Sequence, residues 1–336
     1  MAPAPALIRL LVQLARPVRL AERRLPFVER LVRTPLTATD EVAVRRACAQ
    51  GGARLGEFYH WYLQKLLVST LIRGLDRKRA LALISSVDHT DYAGLASITG
   101  RANGTLLAVP HHGHYIFSII HLAERLRAFR RVLVFYGQPS THQGNEIFDV
   151  LHGVIFRDGD NVEVVHDTRQ GMAKAMRALR NGDVVVIMPD VFRNEEHTEI
   201  IPFCGRQMNV MLGTAMLARR TGATIVPVVA RQHGKGLGFE TWFGTGIVHE
   251  AGPDHEAPGG SVPIMDYRVT RELFDQYETV MRPELLYWQF VRQHMGRASE
   301  HVELGKDELR ALLALLPRDP QIAAPVLTLD LRTSTA

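Results

Sequence analysis

The chain has 336 residues, of which 46% are hydrophobic and 22% are charged, so it can bury a large core and is not expected to be disordered. Its net charge is only +5 and its arginines accompany no recognisable recognition module, so nucleic acid is not an expected partner. Two cysteines, Cys48 and Cys204, are too few for a disulfide framework or a cysteine-built zinc site, and they favour a reducing compartment.

Residues 1–38 are predicted to form a basic N-terminal arm. Pro17, Pro26 and Pro35 divide it into short helical pieces, because proline removes a backbone donor and crowds the preceding turn. Residues 1–35 carry seven arginines against two glutamates. Such an arm suits an anionic membrane surface or an acidic carrier protein, and a solvated helix face is the plainer alternative.

The arm has no small-residue cleavage site for a secretory signal peptide. The longest stretch without Lys, Arg, Asp or Glu, residues 105–123, is interrupted by Pro110 and four histidines, so no transmembrane helix is predicted. We therefore expect a cytoplasmic protein that is peripheral at the inner face of the plasma membrane.

Beyond the arm, helical patterns give way to short apolar runs that alternate with longer helical patterns. This order predicts an α/β fold with a central mixed, largely parallel sheet flanked by helices. The predicted strands are 105–109, 131–135, 154–156, 183–188 and 224–230, with one or more further strands in 239–248. The predicted helical segments are 40–74, 77–85, 115–129, 168–180, 208–220, 269–295 and 306–316.

These elements indicate one domain over residues 39–316, followed by a peripheral, proline-punctuated tail over residues 317–336. Gly234, Gly236 and Gly238 lie between two strand-like runs with no helix after them. They therefore predict a hairpin rather than a dinucleotide site.

The most informative segment is the end of the first predicted strand, where His111, His112 and His114 surround Gly113. Side chains at the carboxyl end of such a strand face the crevice in which open α/β sheets bind ligands. Histidine can accept and return a proton near neutral pH, so one of these residues is a candidate general base. The alternative is that they only hydrogen-bond within a turn. A metal site is not expected, because no acidic or sulfur ligand lies at a matching local spacing.

A second predicted strand, 183–188, also ends in polar residues. Asp190 and Arg193 would reach the same crevice if the two strands are neighbours in one parallel sheet. Arg193 could hold a phosphate or carboxylate, and Asp190 could orient a histidine or an arginine.

The order of these segments resembles the lysophospholipid acyltransferase superfamily, and most closely its lipid A biosynthesis acyltransferase branch, over about residues 55–295. Residues 109–113 resemble the active-site histidine motif of that superfamily, and residues 153–157 resemble its glycine-x-x-phenylalanine pattern ending in arginine. Residues 188–194 resemble its third element, Phe-Pro-Glu-Gly-Thr-Arg-Ser, and residues 225–228 resemble the fourth. Residues 203–205 and 283–288 are similar to the lipid A branch in particular. The resemblance implies a glycerolipid acyltransferase-like fold.

It also implies a mechanism, in which a histidine deprotonates an acceptor hydroxyl that attacks an acyl thioester, while a carboxylate four residues beyond the histidine orients the imidazole. By this resemblance His111 is the base. The expected carboxylate is missing, because the motif position is Ile116 counted from His111 and Phe117 counted from His112.

Three explanations of the missing carboxylate are open. In the first, Asp190, or else Glu195 or Glu196, replaces it from the neighbouring loop. In the second, the acceptor is an amine that needs little activation. In the third, catalysis is lost and the chain is a lipid- or carrier-binding protein.

We expect an acyltransferase that forms an ester or an amide in specialised lipid or natural-product assembly, with the non-catalytic binding protein as the alternative. His111 and Asp190 are the expected catalytic residues. Arg157 and Arg193 are expected to bind an anionic part of a substrate, and His112 and His114 to shape the site. The expected donor is an acyl carrier protein or acyl-CoA, the acceptor is a hydroxyl or an amine, and no cofactor is expected.

Overall fold

Helices cover both faces of a central β-sheet in the computed structural model. It describes residues 38–52, 57, 61, 75–93, 95, 103–137, 155, 161–191, 198–234, 237–249 and 264–296. The strands are β1 (Thr105–Ala108), β2 (Val132–Tyr136), β3 (Val162–His166), β4 (Val184–Ile187), β5 (Thr198–Phe203), β6 (Arg206–Met211), β7 (Thr224–Gln232), β8 (Phe239–Phe243) and β9 (Ile247–Val248). The helices are α1 (Ala38–Gly51), α2 (Arg77–Val87), α3 (Tyr115–Leu126), α4 (Arg169–Arg180), α5 (Gly213–Thr221), α6 (Ile264–Met281), a 3-10 segment (Arg282–Tyr287) and α7 (Val291–Gly296).

The main sheet has the order β3-β2-β4-β1-β7-β8, and β9 pairs with β7 on the same edge as β8. Its first five strands are parallel to their neighbours, whereas β8 and β9 are antiparallel to β7. This confirms the mixed, largely parallel sheet expected from the sequence. It also makes β1 and β4 neighbours, with Ala108 opposite Ile187, so that their carboxyl ends lie side by side.

Alternate residues of each strand enter two separate cores, because successive side chains of a strand point to opposite faces. In β1, Leu106 and Ala108 pack in the core that contains α4, α5 and α6, and Leu107 packs in the core that contains α2 and α3. Both faces of the sheet are therefore buried, which accounts for the continuous apolar runs of β1 and β4.

Two predicted elements were wrong. Residues 208–211, expected to begin a helix, belong to β6, which pairs with β5 in a separate two-stranded sheet, and the helix begins only at Gly213. Ile155, the described residue of the strand expected over 154–156, is helical, and the strand lies later in the chain, at β3.

Most other boundaries agree with the expectations. The hairpin expected around Gly234 is confirmed by the antiparallel pairing of β7 and β8. The expected helical region over 269–295 begins earlier, as α6, and breaks into the 3-10 segment and α7. The N-terminal arm, the helix expected over 306–316 and the C-terminal tail lie outside the described residues. Among the helices that the structure describes, none is both long and apolar enough to cross a bilayer.

Candidate active site

His111 and Asp190 form a hydrogen-bonded pair between the ends of β1 and β4. Each lies three residues beyond the paired positions Ala108 and Ile187, so the register of the two strands brings them together. The His111 Nδ1 atom is 2.7 Å from Asp190 Oδ1, and the His111 backbone N–H donates to Asp190 Oδ2 at 2.8 Å. Because a carboxylate can only accept, this contact puts the proton of a neutral imidazole on Nδ1.

A third donor reaches the same carboxylate. Trp288, between the 3-10 segment and α7, donates its indole N–H to Asp190 Oδ2 at 2.7 Å. Asp190 is only 1% exposed, and a buried carboxylate needs such donors to replace the water it has lost. This contact was not predicted, because Trp288 follows an irregular segment that no strand register places beside Asp190.

The pair opens into a cavity of about 590 Å³ at the carboxyl ends of β1, β2 and β4. His111 lines the cavity and is 8% exposed, whereas Asp190 lies behind it. The apolar part of the wall includes Phe135, Ile187 and three methionines; these are Met172, Met188 and Met211. Asp167, Thr168 and Arg169, before and at the start of α4, supply polar groups. The site is thus a mainly apolar pocket with a histidine at its edge.

Neighbouring side chains hold the His111 ring from two directions. The rings of Tyr115 and Phe290 lie 4.8 Å and 5.0 Å from it, centroid to centroid. The Tyr115 hydroxyl donates to Gln289 Oε1 at 3.2 Å, and the Gln289 backbone N–H donates to the His111 carbonyl at 2.8 Å. Burial, and then the negative charge of Asp190, raises the pKa of Tyr115, so its phenol stays protonated as a donor.

His112 does not face the cavity, contrary to the expectation that it shapes a substrate site. It is fully buried, and its Nδ1 and Nε2 atoms lie 2.9 Å and 3.0 Å from the carbonyl oxygens of Ala230 and Glu284. Both ring nitrogens therefore face main-chain oxygens, and a neutral ring donates to one of them. His112 ties the turn to β7 and to the 3-10 segment.

His114 also differs from the expectation. It is 6% exposed, immediately precedes α3, and stacks on Phe117 at 5.6 Å rather than lining the cavity. Phe117 in turn contacts Phe239 of β8, on the opposite side of the sheet from the cavity. Of the three clustered histidines, only His111 reaches the cavity.

Gly113 allows the turn to form. Its φ of +56° is a conformation that side chains with a Cβ rarely adopt, and a Cβ there would lie 2.4 Å from the Ala230 carbonyl oxygen. Its own N–H donates to the Tyr287 carbonyl at 2.9 Å. The turn is thus pressed between β7 and the 3-10 segment, and this contact fixes the direction in which His111 points.

The remaining expected site residues, Arg157 and Arg193, lie outside the described residues, as do the alternative carboxylates Glu195 and Glu196. Within the described parts of the chain, no group of three or more His, Cys, Asp or Glu side chains is placed to hold a metal ion.

A second His–Asp pair lies away from the cavity and was not expected. His121 of α3 hydrogen-bonds Asp88, which follows α2, and Asp88 also accepts from the Tyr92 hydroxyl at 2.7 Å and the Thr90 backbone N–H at 2.8 Å. Burial alone would raise the pKa of Asp88, but these hydrogen bonds, led by that of His121, lower it to about 2. This pair joins two helices of one layer.

Comparisons with known proteins bear on the family to which the chain is similar. Residues 86–256 match the family model of the bacterial lipid A biosynthesis acyltransferases. The chain is also 28% identical over 176 residues to phosphatidylinositol mannoside acyltransferase of Mycobacterium tuberculosis, in strains CDC 1551 / Oshkosh and ATCC 25618 / H37Rv. Each match covers 51% of this chain and 49% of the relative, so the matched segment spans about half the length of these curated relatives.

Proposed function

Since half of its residues match that family model, the chain belongs to the bacterial lipid A biosynthesis acyltransferase family, and we propose that it transfers an acyl group from a thioester to a hydroxyl or amine acceptor. The observation that carries the proposal is the 2.7 Å contact between His111 Nδ1 and Asp190 Oδ1 at the edge of an apolar pocket. A base, a carboxylate that orients it and a place for an acyl chain are what this reaction requires.

His111 is the proposed general base. With the proton of the neutral ring on Nδ1, the lone pair on Nε2 takes the proton of the acceptor as its oxygen or nitrogen attacks the thioester carbonyl. The tetrahedral intermediate collapses with cleavage of the carbon–sulfur bond, and the imidazolium returns its proton to the leaving thiolate. The products are the acylated acceptor and a free thiol, and Asp190 stabilises the imidazolium between the two transfers.

The pair also bears on the acceptor. An amine acceptor would explain a site without a carboxylate, because a neutral amine attacks a thioester without a strong base. In this proposal Asp190 is the carboxylate that activates His111, so His111 can deprotonate a hydroxyl, and a hydroxyl is the acceptor that we favour. The relatives are named for a phosphatidylinositol mannoside, and a hydroxyl of a glycosylated lipid is one acceptor to test. Specialised lipid or natural-product assembly is the proposed setting.

The charge of α4 favours a carrier protein over coenzyme A as the donor. The helix contains no acidic residue, and Arg169, Arg177 and Arg180 are exposed within about 80° of one another around its axis. Arg169 lines the cavity, and the other two lie about 12 Å and 17 Å farther along the helix. The phosphates of one nucleotide cannot cover such a row, whereas an acidic helix of a carrier protein can.

Residues 1–38 support a proposed site of action at the inner face of the plasma membrane. Their excess of arginine would be attracted to anionic headgroups at that surface. Co-sedimentation with anionic vesicles, against zwitterionic vesicles as control, tests this. Equal binding to both kinds of vesicle would contradict it.

Incubation of the purified protein with acyl thioesters and candidate acceptors tests the activity, with mass spectrometry of the product and titration of the released thiol. We expect Asp190→Asn to lower turnover by about 10³- to 10⁴-fold, as loss of an orienting carboxylate does elsewhere, and His111→Ala to lower it at least as far. His233→Ala, at an exposed histidine after β7, is the control and should retain full turnover.

Equal turnover by the wild type and His111→Ala would refute the assignment of the base. A bound acyl chain that is never transferred, with any donor, would instead support the non-catalytic binding protein.

A further inference from the structure

We propose that Trp288 is a positioning residue, whose indole N–H holds the Asp190 carboxylate in the orientation that His111 needs. The inference rests on the proposed function, because it assigns Trp288 to the machinery of that reaction. Trp288 does not touch the cavity, so its effect on a substrate would pass through Asp190.

The arrangement of donors on Asp190 is the first argument. Oδ2 accepts from the His111 backbone at 2.8 Å and from Trp288 Nε1 at 2.7 Å, and Oδ1 faces His111 Nδ1 at 2.7 Å. Two donors on Oδ2 fix the rotation of the carboxylate, so that its other oxygen is directed at the imidazole. Without Trp288, these remaining contacts of the carboxylate would both come from His111, the residue that is to be oriented.

The rigidity of the indole is the second argument. Trp288 is fully buried, and its ring lies 5.3 Å from the rings of both Phe203 and His294. Its backbone forms a bridge with His112, in the turn that carries the base. The N–H is therefore held in place from β5 and α7 and does not depend on Asp190 for its own position.

The identity of the acceptor for the indole N–H is the third argument. If Trp288 only filled the core, its N–H would need an acceptor, and any buried carbonyl could serve as that acceptor. Here the acceptor is the carboxylate that also contacts His111, and that carboxylate is 1% exposed. A hydrogen bond to a buried charge is among the stronger ones in proteins, so its loss should be measurable.

Trp288→Phe removes the N–H and keeps an aromatic ring. We expect kcat to fall about 10- to 100-fold with KM changed less than about twofold, because Trp288 itself does not line the pocket and a hydrogen bond to a charge is lost. Trp242→Phe is the matched control, since it makes the same change in β8 away from Asp190, and it should keep the wild-type kcat.

The Asp190→Asn background distinguishes positioning from packing. If Trp288 acts through the carboxylate, Trp288→Phe should cause little further loss of kcat there, whereas a packing defect would cause the same loss in both backgrounds. Full activity of Trp288→Phe, or an equal loss in the two backgrounds, would overturn the proposal.

A readout without turnover separates this inference from the proposed function. The proton of His111 Nδ1–H should give a hydrogen-bonded NMR resonance in the wild type that disappears in His111→Ala. It should shift in Trp288→Phe and stay in place in Trp242→Phe.

A wild type that transfers no acyl group would refute the function, while an unshifted resonance would refute the role of Trp288. If Trp288→Phe does not fold, an analogue with sulfur in place of the indole N–H keeps the ring shape and gives the same test.

Discussion

Three histidines within four residues have three different environments. His111 faces the cavity, His112 is held by the carbonyl oxygens of Ala230 and Glu284, and His114 stacks on Phe117. Gly113, with its positive φ, turns the chain between His112 and His114, and the register of β1 and β4 brings His111 to Asp190. Residue type alone therefore does not identify the base, and the direction of each side chain decides its role.

Replacement of Gly113 tests how far the base depends on this turn. Gly113→Ala places a methyl group 2.4 Å from the Ala230 carbonyl oxygen at a φ of +56°, so we expect a loss of about 2–3 kcal/mol of stability and a fall in kcat. Chemical denaturation and turnover measure the two effects. Gly234→Ala is the control, because its φ of +66° is similar but a Cβ there meets nothing within 4 Å. Equal losses in the two variants would show that the contact with β7 is unimportant.

At the scale of elements, the misassigned segment before α5 shows how a short pattern is mistaken. Met208 and Val210 are buried, and the residue before each of them, Gln207 and Asn209, is more exposed, which is the period-two alternation of a strand. The hairpin turn before it is formed by Cys204 and Gly205, both with positive φ, at 48° and 74°. Cysteine is not a usual residue at such a position, where asparagine or aspartate is expected, so the turn signal was weak.

The site itself was partly predictable. His111 and Asp190 follow two apolar runs, and side chains beyond the ends of adjacent parallel strands meet, so the pair followed once β1 and β4 were assumed to be neighbours. Their roles remain predictions. The contact of Trp288 could not be foreseen, because it comes from the irregular segment after α6, where no strand register fixes the position of a side chain.

The arginine row of α4 gives a prediction at this scale. Arg177→Glu combined with Arg180→Glu should raise KM for an acyl carrier protein donor about tenfold or more at low salt, and leave KM for acyl-CoA within about twofold. Kinetics with both donors, repeated at high salt to screen the charges, measure this.

Lys78→Glu combined with Arg79→Glu is the matched control, since it makes the same change of charge on exposed residues of α2, in the other helical layer. A similar rise in KM for both donors would place the row at a part that the two donors share, and a rise for acyl-CoA alone would place it at the nucleotide. No change for either donor would remove α4 from donor binding.

For the molecule as a whole, buried polar links join elements that the apolar cores pack together. Arg219 and His249 both contact Asp266, which connects α5, the residue after β9 and the start of α6. His294 of α7 contacts the Phe203 carbonyl of β5 at 2.8 Å. His294 is a titratable group in one of these links, and because burying its charged form is unfavourable, the stability of the fold should depend on pH.

His294 makes this dependence specific. Burial lowers its pKa from 6.5 to about 4, despite the opposing hydrogen bond to Phe203, so the unfolded chain binds a proton there more readily than the folded one. Its contribution is complete above about pH 6.5 and is lost progressively down to pH 4, by up to about 3 kcal/mol.

Denaturant unfolding at several pH values between 7.5 and 4 measures this loss. His294→Asn keeps a donor for the Phe203 carbonyl but does not titrate, so its free energy of unfolding should change less over the same interval. A variant as sensitive to pH as the wild type would assign the effect to other groups.

The distance along the chain between the parts of the site has a consequence for synthesis on the ribosome. His111 meets Asp190 across 79 residues, and Trp288 reaches Asp190 across another 98. A nascent chain that has exposed the histidine therefore has neither the carboxylate nor its support. Because translation adds about 5–20 residues per second, the imidazole stays uncoupled for several seconds or longer. Under the proposed function, acyl transfer therefore has to wait until the segment that carries Trp288 has left the ribosome.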